Sequence, residues 1–196
     1  MLYLLLGSSS FLFFILYDLN DVKLYHRFLK SFFAIGSSLL LYSTAMIVYT
    51  GSPTFSLSSF GKIISGIGSL FSLVLLIYTL FFALPWKKTY LELATNNKVV
   101  DKGFYALCRH PGVLWFIAFY FFTWLFTGVQ LLLFAGMSFS ILNIIYISLQ
   151  EKYFFPRLFM NYGIYQQTTP FLFPTPSSIK KCCSTFATGE EITNEL

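Results

Sequence analysis

The triplet Arg109-His110-Pro111 stands directly before an apolar stretch, in a chain with few charged residues. An arginine guanidinium can hold a carboxylate with two parallel hydrogen bonds, and an imidazole can donate or accept a proton near neutral pH. Charged groups at the edge of an apolar region cost about a few kcal/mol each to dehydrate, so they commonly mark an ion pair, a pathway or a binding site. We therefore expect partners for Arg109 and His110.

An acidic residue at the end of the last apolar stretch is the candidate partner. Glu151 could neutralise Arg109, or accept hydrogen bonds from the hydroxyl or amino groups of a ligand, and the two roles are compatible. Tyr162 and Tyr165 follow three residues apart. Tyrosines at this position in an apolar chain more commonly anchor a membrane protein at the lipid surface than bind a ligand.

The composition indicates an integral membrane protein. The 196 residues are 56% hydrophobic, 21% aromatic and only 11% charged, with a mean hydropathy of +0.69. These values do not fit an ordinary soluble domain.

The apolar residues divide into five stretches, and Gly128 separates the last two. Most of them approach the ~20 residues that a helix needs to cross a bilayer. The fourth would rise only about 22 Å at ~1.5 Å per residue, so we expect it to begin earlier, near Cys108. The stretches are residues 1–17, 28–49, 63–84, 113–127 and 129–149. The predicted fold is an all-α polytopic bundle of about five transmembrane helices, with the last two forming a tight hairpin.

The basic residues predict the orientation of these helices. All 13 lysines and arginines except Lys62 fall on one side of the five-span arrangement. The positive-inside rule then gives an external N-terminus and a cytoplasmic C-terminus. The long segments 85–111 and 150–174 lie on the cytoplasmic side, where a soluble cosubstrate would reach them. The net charge of +5 needs no nucleic-acid partner.

Residues 1–174 form one predicted membrane domain, and 85–174 are its candidate catalytic region. Residues 175–196 contain too few apolar groups to pack independently, so we expect a disordered tail. We predict no metal site: His26 has only two nearby acids and no cysteine at ligand spacing.

Together these features form an ordered set: Gly-x-Tyr-x-x-x-Arg-His-Pro before a helix, an acid after the next helix, then Tyr-x-x-Tyr and spaced prolines. The set resembles the superfamily of isoprenylcysteine carboxyl methyltransferases and phospholipid methyltransferases. It covers about residues 103–174, a little over a third of the chain.

The resemblance implies an enzyme that transfers a methyl group from S-adenosylmethionine to a lipophilic or lipidated acceptor, either an isoprenylcysteine carboxylate or a phospholipid amine. The cofactor would enter from the cytoplasm and the acceptor from the surrounding membrane lipids. Arg109, His110 and Glu151 are the implied catalytic residues. The implied cofactor-binding residues are Gly103, Tyr105, Arg109, His110, Pro111, Glu151, Tyr162 and Tyr165.

Such a reaction is an in-line displacement, in which alignment at about 3–3.5 Å and a water-poor cavity supply most of the acceleration. An amine acceptor must lose a proton, which His110 could accept, whereas a carboxylate acceptor needs no base.

The chain departs from the superfamily pattern in two stretches, and in the second it has Phe159-Met160-Asn161-Tyr162 where Phe-Gly commonly precedes the Tyr pair. The pattern usually continues Arg-His-Pro-x-Tyr-x-Gly, but here Val113 and Trp115 stand at the Tyr and Gly positions. Where two adjacent acids are common, this chain has Gln150 before Glu151. A cofactor contact at Val113 or Trp115 would have to be lost or moved.

Two other classes of protein remain open. One is a membrane enzyme related to the sterol and steroid reductases, with a nicotinamide cofactor at the cytoplasmic edge. The other is a non-catalytic membrane protein, in which Arg109 and His110 extend to lipid headgroups and Pro111 only begins a helix.

Overall fold

The computed structural model describes residues 1–83 and 97–187, and most of these residues are helical. The helices are α1 (Leu2–Leu19), α2 (Phe32–Thr50), α3 (Ser59–Phe81), α4 (Phe104–Leu107), α5 (Pro111–Thr127), α6 (Gln130–Leu149), α7 (Phe155–Leu158), α8 (Tyr162–Thr168) and α9 (Pro176–Ala187). Two π-helical turns, Asn20–Leu24 and Gln150–Phe154, continue α1 and α6, and a 3-10 turn, Phe28–Ser31, precedes α2. The strands β1 (Asn97–Lys98) and β2 (Phe159–Met160) pair in parallel.

Four helices of the described residues are long and apolar enough to cross a membrane. They are Leu2–Leu24, Phe28–Thr50, Ser59–Phe81 and Gln130–Leu158, where the first, second and fourth ranges include the adjoining turns and the fourth also includes α7. A fifth apolar helix, Pro111–Thr127, is shorter. Large apolar side chains on the outside of the bundle, such as Leu5, Ile67 and Phe134, are more than half exposed, as expected of surfaces that face lipid.

The bundle is organised around α6. Helices α1 and α2 pack against each other, α3 packs against α5, and α6 contacts α1, α2 and α5. Nine buried residues form the core: Phe11, Phe14, Ile47, Phe116, Tyr120, Val129, Leu132, Ala135 and Phe139.

Small residues allow these helices to approach closely. A Cβ added at Gly136 of α6 would lie 2.7 Å from the Cβ of Tyr120 on α5, and Gly7 of α1 faces the ring of Phe139 in a similar way. Because lipid is as apolar as the side chains it covers, close van der Waals packing contributes much of the association between such helices. Hydrogen bonds add to it, including one of 2.6 Å between the hydroxyls of Thr44 and Tyr120.

The connection between α5 and α6 consists of Gly128 and Val129. Gly128 has a φ of 70°, in the left-handed region that glycine adopts readily. A Cβ at this position would collide with the carbonyl oxygen of Phe55. The Gly128 carbonyl accepts a hydrogen bond of 2.8 Å from the backbone N–H of Thr54, so the connection is fixed by the loop that precedes α3.

The expected early start of the fourth apolar helix is wrong. The helix begins at Pro111, while Cys108 is extended, with a φ of −159° and a ψ of 164°. The proline explains the difference, because its ring disfavours helical backbone at the residue before it. His110 accordingly has a ψ of 59° and forms the N-cap of α5.

The expected disorder from residue 175 onward also differs from the structure, which has helix α9 over Pro176–Ala187. Thr175 and Ser178 begin this helix by exchanging hydrogen bonds: the Thr175 N–H donates to the Ser178 hydroxyl at 2.9 Å, and the Ser178 N–H donates to the Thr175 hydroxyl at 3.3 Å. Residues 188–196 of the expected tail lie outside the described residues.

Helix α9 is held by contacts that its polar sequence did not indicate. Lys181 pairs with Asp101 at 2.9 Å, and the Gly103 N–H donates to the Thr185 hydroxyl at 3.0 Å. The ring of Phe186 meets that of Phe104 edge to face, with centroids 5.3 Å apart. The helix therefore packs against the segment that leads to the Arg109-His110-Pro111 triplet.

Candidate active site

The candidate site lies where α5 begins and α6 ends. His110 is the N-cap of α5, and Glu151 lies in the π-helical turn that follows α6. π-Helical turns are frequent at functional sites. The adjacent residues Gln150 and Glu151 of this turn have different partners. Glu151 contacts Arg109 and His110, whereas Gln150 contacts α1.

Glu151 is buried, and four side chains donate hydrogen bonds to its carboxylate. Its Oε1 accepts from Arg109 Nε at 2.8 Å, from His110 Nε2 at 2.9 Å and from the Tyr162 hydroxyl at 2.6 Å. Its Oε2 accepts from Gln166 Nε2 at 2.7 Å. A buried charge needs such donors, since removing a carboxylate from water without them costs several kcal/mol.

Arg109 connects this carboxylate to the end of α8 and to the residues that follow it. Its Nη1 donates to the carbonyls of Gln166 at 2.8 Å and Thr169 at 2.6 Å. Its backbone N–H donates to the Pro170 carbonyl at 2.9 Å. Within residues 1–83 and 97–187, no acceptor bonds to Nη2.

His110 is held in one tautomer. Because the Glu151 carboxylate only accepts, Nε2 of His110 carries a hydrogen and Nδ1 of the neutral ring is an acceptor. The ring stacks on Phe155 at 5.9 Å and meets Phe171 edge to face at 5.2 Å. Burial among these rings lowers the pKa of His110, although the neighbouring Glu151 carboxylate opposes the shift.

Tyr162 and Tyr165 are interior residues, 4% and 6% exposed, rather than anchors at a lipid surface. Tyr162 donates to Glu151, whose charge adds to the effect of burial in raising the pKa of the phenol. Tyr165 donates to the carbonyl of Tyr105 at 2.7 Å, and Tyr105 in turn donates to the carbonyl of Thr79 at 3.0 Å. The second tyrosine thus connects the site to α4 and to the end of α3.

The eight residues expected to bind the cofactor are therefore not one cluster. Arg109, His110, Glu151 and Tyr162 are in direct contact. Tyr105 and Tyr165 form an adjoining pair, and Pro111 contributes by beginning α5. Gly103 lies apart from the carboxylate, with its N–H bonded to α9.

Two of the residues that depart from the superfamily pattern, Val113 and Trp115, pack against neighbouring apolar side chains. Val113 is 4% exposed and packs with Ile147 and Leu172. Trp115 meets the ring of Phe104 edge to face, with centroids 5.6 Å apart. In this chain both side chains therefore contribute to the fold around the site.

Several contributors to the site were missed by the sequence analysis. The backbone carbonyls of Gln166, Thr169 and Pro170 carry no residue-type signal, so their role could not be read from the sequence. The Gln166 side chain had a weak signal, because it is polar and directly follows Tyr165. Residues 84–96, which open the candidate catalytic region, lie outside the described residues.

Comparisons with protein-family models, with curated proteins and with solved structures find no match to this chain. The methyltransferase resemblance therefore stays a prediction from the residues and their order.

Proposed function

We propose that this protein is an integral membrane methyltransferase that uses S-adenosylmethionine and a lipophilic acceptor. The observation that carries the proposal is the contact of Arg109, His110, Tyr162 and Glu151 at one end of an apolar helix bundle. The motif order predicted that these residues act together, although His110 and Glu151 are 41 residues apart in sequence.

The donor set fits part of this cofactor. The free Nη2 of Arg109 can bind the carboxylate of its methionine group, because Nε and Nη1 are already fixed and the guanidinium is pre-oriented. Nδ1 of His110 can accept a hydrogen bond from a ligand. When bound, the cofactor would supply an electrophilic methyl group on a sulfonium.

Glu151 has a narrower role in the proposal than the sequence suggested. Its two oxygens already accept four hydrogen bonds, so direct contact with ribose hydroxyls would require one of the four donors to leave. We assign it the second predicted role, in which it neutralises Arg109 and orients both Arg109 and His110. It is a positioning residue, and the rings of Phe155 and Phe171 pack against His110, which it orients.

The proposal includes five membrane spans with an external N-terminus and a cytoplasmic C-terminus, and α5 and α6 as a hairpin. The uneven distribution of the 13 basic residues, all but Lys62 of which fall on the cytoplasmic side of this arrangement, supports the orientation. The polar ends of α1 and α6 and the start of α5 then share the cytoplasmic side, where a soluble cofactor can reach Arg109.

A methyl-transfer assay tests the proposal. The protein in vesicles of mixed lipid is incubated with S-adenosylmethionine labelled in its methyl group, and radioactivity is measured in the organic phase. We expect labelled lipid with the wild type and at least a hundredfold less with Arg109→Gln, since misplacing a reacting group by about 1 Å can cost that much. Label that stays in the aqueous phase for every lipid class tested would contradict the proposal.

The four hydrogen bonds that the Glu151 carboxylate already accepts favour a second candidate function, that of a non-catalytic membrane protein. Four donors on one carboxylate could simply tie α8 and the following chain to the ends of α5 and α6. That candidate predicts that substitutions of Arg109 lower stability and that S-adenosylmethionine does not bind to the wild type.

A further inference from the structure

A second buried carboxylate adjoins the candidate site. Asp18, near the end of α1, is 7% exposed. Its Oδ2 accepts a hydrogen bond of 2.9 Å from Nε2 of Gln150, which also donates to the Tyr146 hydroxyl at 2.9 Å. Gln150 directly precedes Glu151 in the π-helical turn, so the two carboxylates flank one turn of the chain.

The two carboxylates differ in charge compensation. Glu151 is paired with Arg109. Asp18 forms no ion pair with a lysine or arginine within the described parts of the chain, and only neutral side chains donate to it. An ionised buried carboxylate without a cation is costly, so Asp18 is suited to a positively charged ligand or to holding a proton.

An unpartnered donor lies close to Asp18 in the sequence. Asn20 is fully buried, and its Oδ1 accepts a hydrogen bond of 2.7 Å from the backbone N–H of His26. Its Nδ2 is also buried but has no hydrogen-bond partner among residues 1–83 and 97–187. Leaving a buried donor unpaired costs about 1–3 kcal/mol, which a ligand oxygen would remove.

We propose that Asp18 binds the ammonium group of the methyl acceptor, and that this acceptor is an amine carried on an apolar chain. This inference rests on the proposed function and narrows its acceptor from two classes to one. A carboxylate acceptor is disfavoured, because Asp18 and the acceptor would then be two like charges in a buried site.

Asp18 also supplies the base that an amine acceptor requires. The ammonium gives one proton to the Asp18 carboxylate, and the lone pair of the resulting amine forms a bond to the methyl carbon. The carbon–sulfur bond breaks with its electron pair left on sulfur, which becomes a neutral thioether. The product is a methylated ammonium, and the proton on Asp18 passes to water.

The test is equilibrium binding of radiolabelled hexadecylamine to the purified protein in detergent micelles, without any cofactor. The wild type is expected to bind it saturably, and Asp18→Asn at least tenfold more weakly. Asp101→Asn is the control, because it removes a carboxylate that pairs with Lys181 at the surface, and its affinity should stay within twofold of the wild type. Circular dichroism confirms that each variant is folded.

Competition on the wild type keeps the inference testable if Asp18→Asn does not fold. Unlabelled hexadecylamine should displace the probe at least tenfold more effectively than hexadecanol or hexadecanoate. Equal competition by hexadecanoate, wild-type affinity in Asp18→Asn, or no saturable binding to the wild type would each overturn the inference. Because no cofactor is present, these results are separate from the test of S-adenosylmethionine binding.

Discussion

The Nε of Arg109 lies 2.8 Å from Oε1 of Glu151, although 42 residues separate them in the sequence. Both side chains are about nine-tenths buried. The pair joins the segment before α5 to the turn after α6, and Nη1 of the same guanidinium extends the connection to two carbonyls after Tyr165. One arginine therefore holds together the three segments that form the candidate site.

Arg109→Lys should destabilise the protein by about 2 kcal/mol. A single ammonium cannot reach the Glu151 carboxylate and the carbonyls of Gln166 and Thr169 in the fixed geometry of a guanidinium, and hydrogen bonds of charged groups contribute about 1.5–3 kcal/mol each. Thermal unfolding in detergent measures the effect. Arg157→Lys is the control, because Arg157 is exposed and the same change there should leave the midpoint unchanged.

Tyr162→Phe should cost more stability than Tyr165→Phe. The first removes a donor to the charged Glu151 carboxylate, a loss of about 1.5–3 kcal/mol, and the second removes a donor to the neutral Tyr105 carbonyl, a loss of about 0.5–1.5 kcal/mol. Both variants keep the aromatic ring, so packing is matched. Chemical unfolding of the two variants in parallel gives the order, and a reversed order would show that the Glu151 contact is weak.

Acidification should weaken the wild type through His110. The pKa of this residue is lowered below its ordinary 6.5 in the folded protein, so the unfolded chain binds more protons between the two values. Its contribution to stability is thus complete above about pH 6.5 and is lost as the pH falls below that value. Between pH 7.5 and 5.5 the wild type should lose more stability than His110→Gln, which keeps a side-chain donor but does not titrate. Equal losses in the two proteins would contradict this assignment.

Gly103→Ala should destabilise the chain by about 1–3 kcal/mol, because Gly103 has a φ of 58° and a ψ of −133°, a region that residues with a Cβ avoid. Gly163→Ala is the matched control. Gly163 lies inside α8, and no atom of the described residues lies within 4 Å of an added Cβ, so alanine there should stabilise by about 0.5–1 kcal/mol. Unfolding midpoints of both variants measure the difference.

The sequence predicted the all-α fold and the residues of the candidate site. It did not predict the tertiary contacts that join distant segments. Apolar runs identify helices because a membrane-crossing segment must satisfy its own backbone, and Arg109, His110 and Glu151 were marked by charge in an apolar chain. Helix α9 was missed because contacts with Asp101, Gly103 and Phe104 hold it, and such tertiary contacts have no local signal. The contact between Asp18 and Gln150 was missed for the same reason, since their 132-residue separation is closed only by packing of α1 on α6.

The most direct test of the central claim is calorimetric titration of S-adenosylmethionine into the purified protein in detergent, beside Arg109→Gln and the exposed control Arg157→Gln. We predict saturable binding to the wild type and to Arg157→Gln, and at least tenfold weaker binding to a folded Arg109→Gln, because a charged contact to the ligand carboxylate is lost. A folded wild type that shows no saturable binding, or an Arg109→Gln variant that binds as tightly as the wild type, would contradict the proposed methyltransferase site.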